Sequence, residues 1–335
     1  MSLYRHLYVI GFLICLALLG LGLVFGEVSL RPEDWMAAIS QPRSDPALIV
    51  WSIRLPRNLC ALMVGAMLGA SGAIMQGLLR NPLAEPGLLG VSSGAGLGAA
   101  LAIVLGLGLV PYAVEGLSLI FAFLALAILV VLASKLANSS ALILSGVALS
   151  SFLGAVMSLV FNLSPSPVST TEILNWMMGN VANRDLKDVA ICALALIIAG
   201  LMMPRLRLGL RALSLGEDTA RSLGVDLKSL YIWALVAASL LSGISVAMAG
   251  IIGFVGLCAP HMVRSLGIKD PYSLIWPSAL MGAIMVLGAD IITRLIPLDQ
   301  PLRLGVLTSL VGAPVFAVIA RSVARSWGGG YGDKP

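Results

Sequence analysis

The sequence predicts an all-α polytopic membrane protein of about ten transmembrane helices with both termini in the cytoplasm. Three observations carry that reading. Hydrophobic residues make up 59% of the 335, charged residues only 11%, and a soluble domain has about 25% charged residues. The mean hydropathy is +1.00. The charges are also segregated, leaving uncharged runs at 7–26, 58–79, 86–114, 116–134, 136–171, 189–204, 229–263, 271–289 and 304–320. A bilayer needs about 20 apolar residues at 1.5 Å each, and most of these runs meet that.

The spans follow in order as 7–26, 58–79, 90–108, 116–134, 140–161, 188–204, 229–249, 252–266, 273–294 and 304–321. The first, 20 residues long with no cleavage site following it before Glu27, reads as a span and not as a cleavable leader. The second and third form a hairpin broken at Asn81-Pro82. The run 229–263 must hold two spans, with a turn near Gly250-Ile251-Ile252-Gly253. Ten spans put both ends on one side. With that side inside, thirteen Lys/Arg fall on inner segments and eight on outer ones, whereas six acids are inner and ten outer. Positive charge marks the cytoplasmic side. Basic residues scattered over short loops without aromatic interleaving exclude a nucleic-acid surface. Residues 1–325 read as one transmembrane domain and 326–335 as a flexible tail.

Gly65, Gly69 and Gly72, then Gly90, Gly94 and Gly98, stand at small-xxx-small spacing, which lets helix backbones approach closely in lipid. Tight packing is one reading and a lining that shifts between conformations is the other. Cys15, Cys60, Cys192 and Cys258 lie in apolar runs with no CxxC spacing, as small buried hydrophobes do. His6 reads as a surface residue and His261 as a cap or loop contact, so no metal site is expected.

No phosphate loop, HExxH or Gly-x-Ser-x-Gly is present, so no catalytic residues are expected. No acid sits mid-span, where an ion-coupled carrier keeps its ionisable group. Energy must enter from elsewhere. The longest inner segment is 205–228, where Ser214 and Glu217 fit a capping box. Glu217 and Asp218 suit the first turn, and Gly224 a left-handed end. This predicts a short helix with Ala220 and Leu223 on one side. It either lies on the lipid surface or docks into a cytosolic partner.

Several segments together resemble the iron-chelate and vitamin B12 permease family of type II ABC importers, over essentially the whole chain. They are Arg54-Leu-Pro-Arg57, Gly65-Ala through Gln76, Asn81-Pro-Leu-Ala-Glu-Pro86, Leu89-Gly-Val-Ser-Ser-Gly-Ala95 and Trp176-Met-Met-Gly179. Further on come Leu215-Gly-Glu through Gly224, Gly253-Phe-Val-Gly-Leu257, Pro260-His-Met-Val-Arg264, Gly288-Ala-Asp290 with Arg294, and Gly312-Ala-Pro-Val-Phe316. The resemblance implies a non-catalytic permease subunit of the bacterial inner membrane. It would pair with a second copy, two ABC ATPase subunits that hold the Mg-ATP, and a substrate-binding protein, all amid membrane lipid. Gly216, Glu217, Asp218, Ala220, Arg221, Leu223 and Gly224 are similar to the family's coupling helix. Arg54, Arg57 and Arg294 correspond to residues that meet the binding protein, though Arg294 also stands four residues from Asp290, a good intrahelical pair. Asn81, Leu83, Ser139 and Ser140 correspond to the cytoplasmic gate. The polar, proline-broken 162–171 departs from the pattern.

Two other classes compete. A facilitator channel would work alone, but Asn81-Pro82-Leu83-Ala84 offers one such turn where aquaporins use two. A membrane enzyme lacks any nucleophile–base or metal constellation. Frequency within the family favours an iron–siderophore cargo, then cobalamin, then haem.

Overall fold

The computed structural model describes residues 2–26, 28–135, 139–164, 166–296 and 302–328. They form fourteen α-helices and no strand. In order these are α1 (Ser2–Val24), α2 (Pro32–Ser40), α3 (Asp45–Ala47), α4 (Leu55–Leu79), α5 (Val91–Val104), α6 (Ala113–Lys135), α7 (Ser139–Asn162), α8 (Pro167–Met177), α9 (Leu186–Leu213), α10 (Glu217–Ser222), α11 (Leu227–Ala249), α12 (Val255–Ser265), α13 (Ile275–Leu295) and α14 (Leu304–Gly328). Each of the ten predicted spans falls on one of them. Among the described residues seven helices are long and apolar enough to cross a membrane, while α5 and Leu304–Val318 of α14 are shorter apolar stretches.

The centre is α4 and α11, each 78% buried along its apolar stretch, whereas α1 is only 17% buried. An apolar helix buried on all sides belongs to the core, and one exposed on most sides faces hydrocarbon. Glycine permits the central contacts. A Cβ on Gly65 would stand 2.2 Å from the Gly282 carbonyl oxygen, and one on Gly69 2.1 Å from that of Ser278, both on α13. One on Gly72 would meet the Gly256 carbonyl oxygen of α12 at 1.8 Å. The second stripe serves α5 in the same way, with Gly98 against the Leu117 carbonyl of α6 at 2.3 Å. The packing reading of these glycines therefore holds.

Four departures from the sequence expectation have physical causes. First, the chain before α4 is helical. A π-helical stretch (Leu48–Arg54) joins α3 to α4 in one helix, Asp45–Leu79. Pro56 has no N–H, and its ring would strike the carbonyl one α-turn back, so the wider turn relieves the clash. Second, α8 occupies the segment that read as proline-broken: Ser166 caps it, accepting from the Ser169 N–H at 3.2 Å, and Pro167 stands at its first position.

Third, α9 runs through Pro204 to Leu213, so Arg205, Arg207 and Arg211 lie on a helix rather than in a loop. Leu206, Leu210 and Leu213 are fully buried at helical spacing, and that packing outweighs one lost hydrogen bond. Fourth, the eighth span is a half-helix. After α11 the backbone turns at Gly250 (φ 70°) and Phe254 (φ 66°), and α12 begins only beside Gly72, deep along α4.

The unwound backbone at 250 is not left unpaired. Asn180 N–H donates to the Ala249 carbonyl at 2.8 Å, and Leu304 and Gly305 donate to Gly179 and Met178 at 3.1 and 2.9 Å. Gly179 takes φ 73°, and a Cβ there would stand 3.0 Å from the Ile251 carbonyl. This accounts for the glycine of Trp176-Met-Met-Gly179.

At the start of α9, Asp185 accepts from the Lys187 and Asp188 N–H groups at 2.7 and 3.0 Å, and Asp188 reaches back to the Asp185 N–H at 2.9 Å. The bond from the Asp188 amide, with that from Lys187, holds the Asp185 carboxyl below its ordinary value. A depressed carboxylate adds stability above its unfolded pKa, about 3.9, and loses it as pH falls through the folded value. Thermal unfolding in detergent should therefore show an acid-side decline below about pH 4, and Asp185→Asn should flatten that decline.

Candidate functional site

Three places carry the residues singled out from the sequence. The first is the junction of α1, α4 and α13. Asp290 is 1% exposed and accepts from Arg57 Nε at 3.1 Å and Nη2 at 2.9 Å. Arg294 binds the same carboxylate from the next helical turn, and also Asn58 Oδ1 at 2.6 Å and the Gly22 carbonyl at 3.0 Å. Arg54 is 4% exposed and donates to the carbonyls of Leu23 at 2.6 Å, Val24 at 2.9 Å and Val28.

Arg54 and Arg294 thus turn their charge inward in this structure. Arg54 satisfies the C-terminal carbonyls of α1, which have no intrahelical donor, and Arg294 forms the intrahelical pair. Arg57 keeps a slight exposure while sharing Asp290. No motif marks Gly22 and Gly26, yet a Cβ on Gly26 would meet the Arg54 guanidinium at 2.8 Å and one on Gly22 the Asn58 amide at 2.7 Å.

The second place is the turn after α4. Arg80 takes the left-handed conformation (φ 50°) and ends the helix. Asn81 Oδ1 accepts the Leu83 N–H at 2.9 Å, and the Asn81 carbonyl accepts the Ala84 N–H at 3.1 Å. Pro82 therefore sits in a hydrogen-bonded Asx turn. Burial raises the Glu85 carboxyl above its ordinary value. Gln76 donates to the Leu257 carbonyl at 3.2 Å and accepts from Arg264, binding the ends of α4 and α12. Ser139 and Ser140 are the first two residues of α7, which meets the same loop further along, where Gly90 lies against Leu149.

The third place is α10. Gly216 (φ 118°), not Ser214, stands at its N-cap. Ser214 instead donates to the Arg211 carbonyl at 2.6 Å as α9 ends, so the predicted capping box does not form. Freed from that role, Glu217 accepts from the Tyr231 hydroxyl of α11 at 3.0 Å and pairs with Arg221 at 3.7 Å.

The C-terminus matches the expectation for Gly224. At φ 80° it donates to Arg221, and Val225 donates to Ala220, both at about 3 Å, the two bonds of a Schellman end. Ala220 is fully buried whereas Leu223 is 61% exposed, so the two do not share an environment. Ala220 fastens the helix to the body. Asp218, Thr219, Arg221 and Leu223 are presented outward. Tyr231 was not legible from spacing, because fourteen residues and a turn separate it from Glu217.

A bundle of apolar helices with glycine-mediated contacts, a half-helix at its centre and a rigid helical knob at one end defines a polytopic transport subunit. The chain belongs to the FecCD transport family, which matches residues 13–322. It is a permease subunit of the metal-chelate and vitamin B12 class of ABC importers and a multi-pass protein of the bacterial inner membrane. It is 40% identical over 329 residues to the vitamin B12 import system permease protein BtuC of Salmonella typhi, covering 96% of each chain. It is 41% identical over 319 residues to that of Klebsiella pneumoniae, covering 93% of each. Among solved structures it resembles an inward-facing metal-chelate type ABC transporter, with TM-score 0.84 and 32% identity over 95% of this chain and 99% of the other. PsaBC from Streptococcus pneumoniae shares the fold, with TM-score 0.52 and 19% identity over 78% of this chain and 89% of the other.

Proposed function

We propose that this chain is the membrane pathway of an ATP-driven importer, working as a pair of copies by alternating access, with both termini in the cytoplasm. Two ATPase subunits holding Mg-ATP bind the cytoplasmic end, and a substrate-binding protein binds the other. The cargo is a metal chelate. The strong full-length similarity to vitamin B12 permeases supports a corrinoid ahead of the iron complex that family frequency favours.

The observation that carries this reading is α10. It is a stub with Asp218, Arg221 and Leu223 outward, clamped from behind by Ala220 and by the Glu217–Tyr231 bond. A helix so fixed transmits a push instead of folding away. Asn81, Leu83, Ser139 and Ser140 then form the cytoplasmic gate, whose small polar groups seal and reopen without a stable ion pair. Arg57 is the remaining candidate for contact with the binding protein.

Leu223→Asp should strip the ATPase from the chain purified in mild detergent. Tyr231→Phe should leave the ATPase bound while lowering transport per ATP hydrolysed in proteoliposomes. A chain that moves solute alone and without ATP would replace this reading with a facilitator. Proteoliposomes given the binding protein should take up labelled cyanocobalamin and not a ferric siderophore, and the reverse would return the cargo to iron.

A further inference from the structure

A groove of about 900 Å³ runs along the outside of the bundle between α1, α9 and α13, floored by α4. Tyr8, Phe12, Leu16 and Leu19 form one wall; Leu196, Trp276 and Leu280 form the other. The lining is wholly apolar apart from the edges of Tyr8 and Trp276. We propose that it is a binding site for one phospholipid of the leaflet at the Tyr8–Trp276 end, which is the cytoplasmic leaflet in the orientation proposed above.

The dimensions select that occupant. Tyr8 and Leu19 stand eleven helical steps apart, a rise of about 16 Å at 1.5 Å each, and half the hydrocarbon core is about 15 Å. The groove therefore has the length of one leaflet's acyl chain. Tyr8 and Trp276 both stand at the same end, where aromatic rings with a polar edge sit at the membrane–water boundary. The depth of the groove follows from small residues. Ala66, Ala279 and Ala283 lie at its floor, and Gly11 lets Leu280 touch α1, where a Cβ would stand 2.3 Å from it.

Charge lies beyond the aromatic end. Trp276 packs over Gly200 of α9, where a Cβ would approach its ring at 3.5 Å. Arg207, exposed, follows seven residues later, which returns to nearly the same helix face about 10 Å further down. A long cationic side chain there reaches the headgroup layer. The chemistry is a chain of methylenes in the groove and an anionic phosphoglycerol at Arg207, so an anionic lipid should be preferred to a zwitterionic one.

Native mass spectrometry of the purified complex, released from vesicles of equal phosphatidylglycerol and phosphatidylethanolamine, tests this. One retained phospholipid per copy is expected, enriched in phosphatidylglycerol. Leu16→Trp fills the groove from its lipid-exposed rim and should lower occupancy about tenfold, equivalent to about 1.4 kcal/mol. Val9→Trp repeats the test from a second exposed position. Arg207→Gln should abolish the enrichment and leave a lipid bound. Retention unchanged in both tryptophan variants, or no retained lipid, overturns the site. Enrichment unchanged in Arg207→Gln overturns the headgroup assignment. Crosslinks from Leu16 to a second copy would make the groove a protein interface instead. Each result is independent of whether the complex hydrolyses ATP, so it stands apart from the transport reading.

Discussion

Gly72→Ala should abolish recovery of monodisperse protein, although it adds one methyl group and improves intrinsic helix propensity. The added Cβ would lie 1.8 Å from the Gly256 carbonyl oxygen and 2.5 Å from its carbon. Both are backbone atoms of α12, so no rotamer change relieves the overlap; α4 and α12 must separate. Separation breaks the Gln76 bonds that join the two helices further along, leaving the Gln76 amide and Arg264 in a buried site. An unpaired buried polar group costs about 1–3 kcal/mol each, in addition to the lost packing.

The controls are Gly20→Ala and Gly116→Ala, where nothing lies within 4 Å of the new Cβ. Those should be neutral or gain up to about 1 kcal/mol of helix propensity. Size-exclusion profiles and melting in one detergent, compared across the three variants, check the contrast. A Gly72→Ala chain that elutes and melts like the parent would mean that α12 moves freely against α4.

The glycine contacts illustrate what the sequence carried and what it did not. Spacing alone placed Gly65, Gly69 and Gly72 on one face, since helical periodicity is a local property. It could not name Gly282 or Gly256 as partners, because those lie far along the chain and only the fold brings them together. The same divide runs through the site. Gly224 was legible as a helix end because a Schellman turn is built from six neighbouring residues.

Ser214 was misread because Gly216, two residues later, could adopt φ 118° and begin the helix there, leaving Glu217 to Tyr231. The extension of α9 through Pro204 was hidden for a similar reason. Local rules end a helix at proline, and only the burial of Leu206, Leu210 and Leu213 overrides them. The arginines were the hardest case. Arg54 and Arg294 flank apolar runs as interfacial residues do, and what turns them inward is a set of backbone carbonyls on α1 that no motif announces.

Asp290→Ala should produce the largest loss among charge substitutions, about 3–5 kcal/mol, the usual consequence of removing one partner from a buried ionic network. The carboxylate is shared by Arg57 and Arg294, so its removal leaves two guanidinium groups facing each other without the anion between them. Arg294 Nε and Asn58 Nδ2 already have no hydrogen-bond partner among the described residues, so little spare acceptor capacity exists to absorb the change. Asp290→Asn keeps the shape and one acceptor oxygen but not the charge, and should fall between the parent and Asp290→Ala.

A third variant separates structure from contact with a partner. Replacing the triad together, Arg57→Met with Asp290→Leu and Arg294→Met, removes the three charges of the cluster at similar volume and leaves Arg54 on its carbonyls. Such replacements are often neutral or stabilising. If the cluster is only a clasp between α4 and α13, the triple variant recovers its melting temperature and still transports. If Arg57 also meets an acid on the binding protein, the triple variant recovers its melting temperature but loses binding-protein affinity, most at low salt, where a charge contact is least screened. A triple variant that melts as low as Asp290→Ala would refute the clasp, because the loss would then come from packing and not from stranded charge.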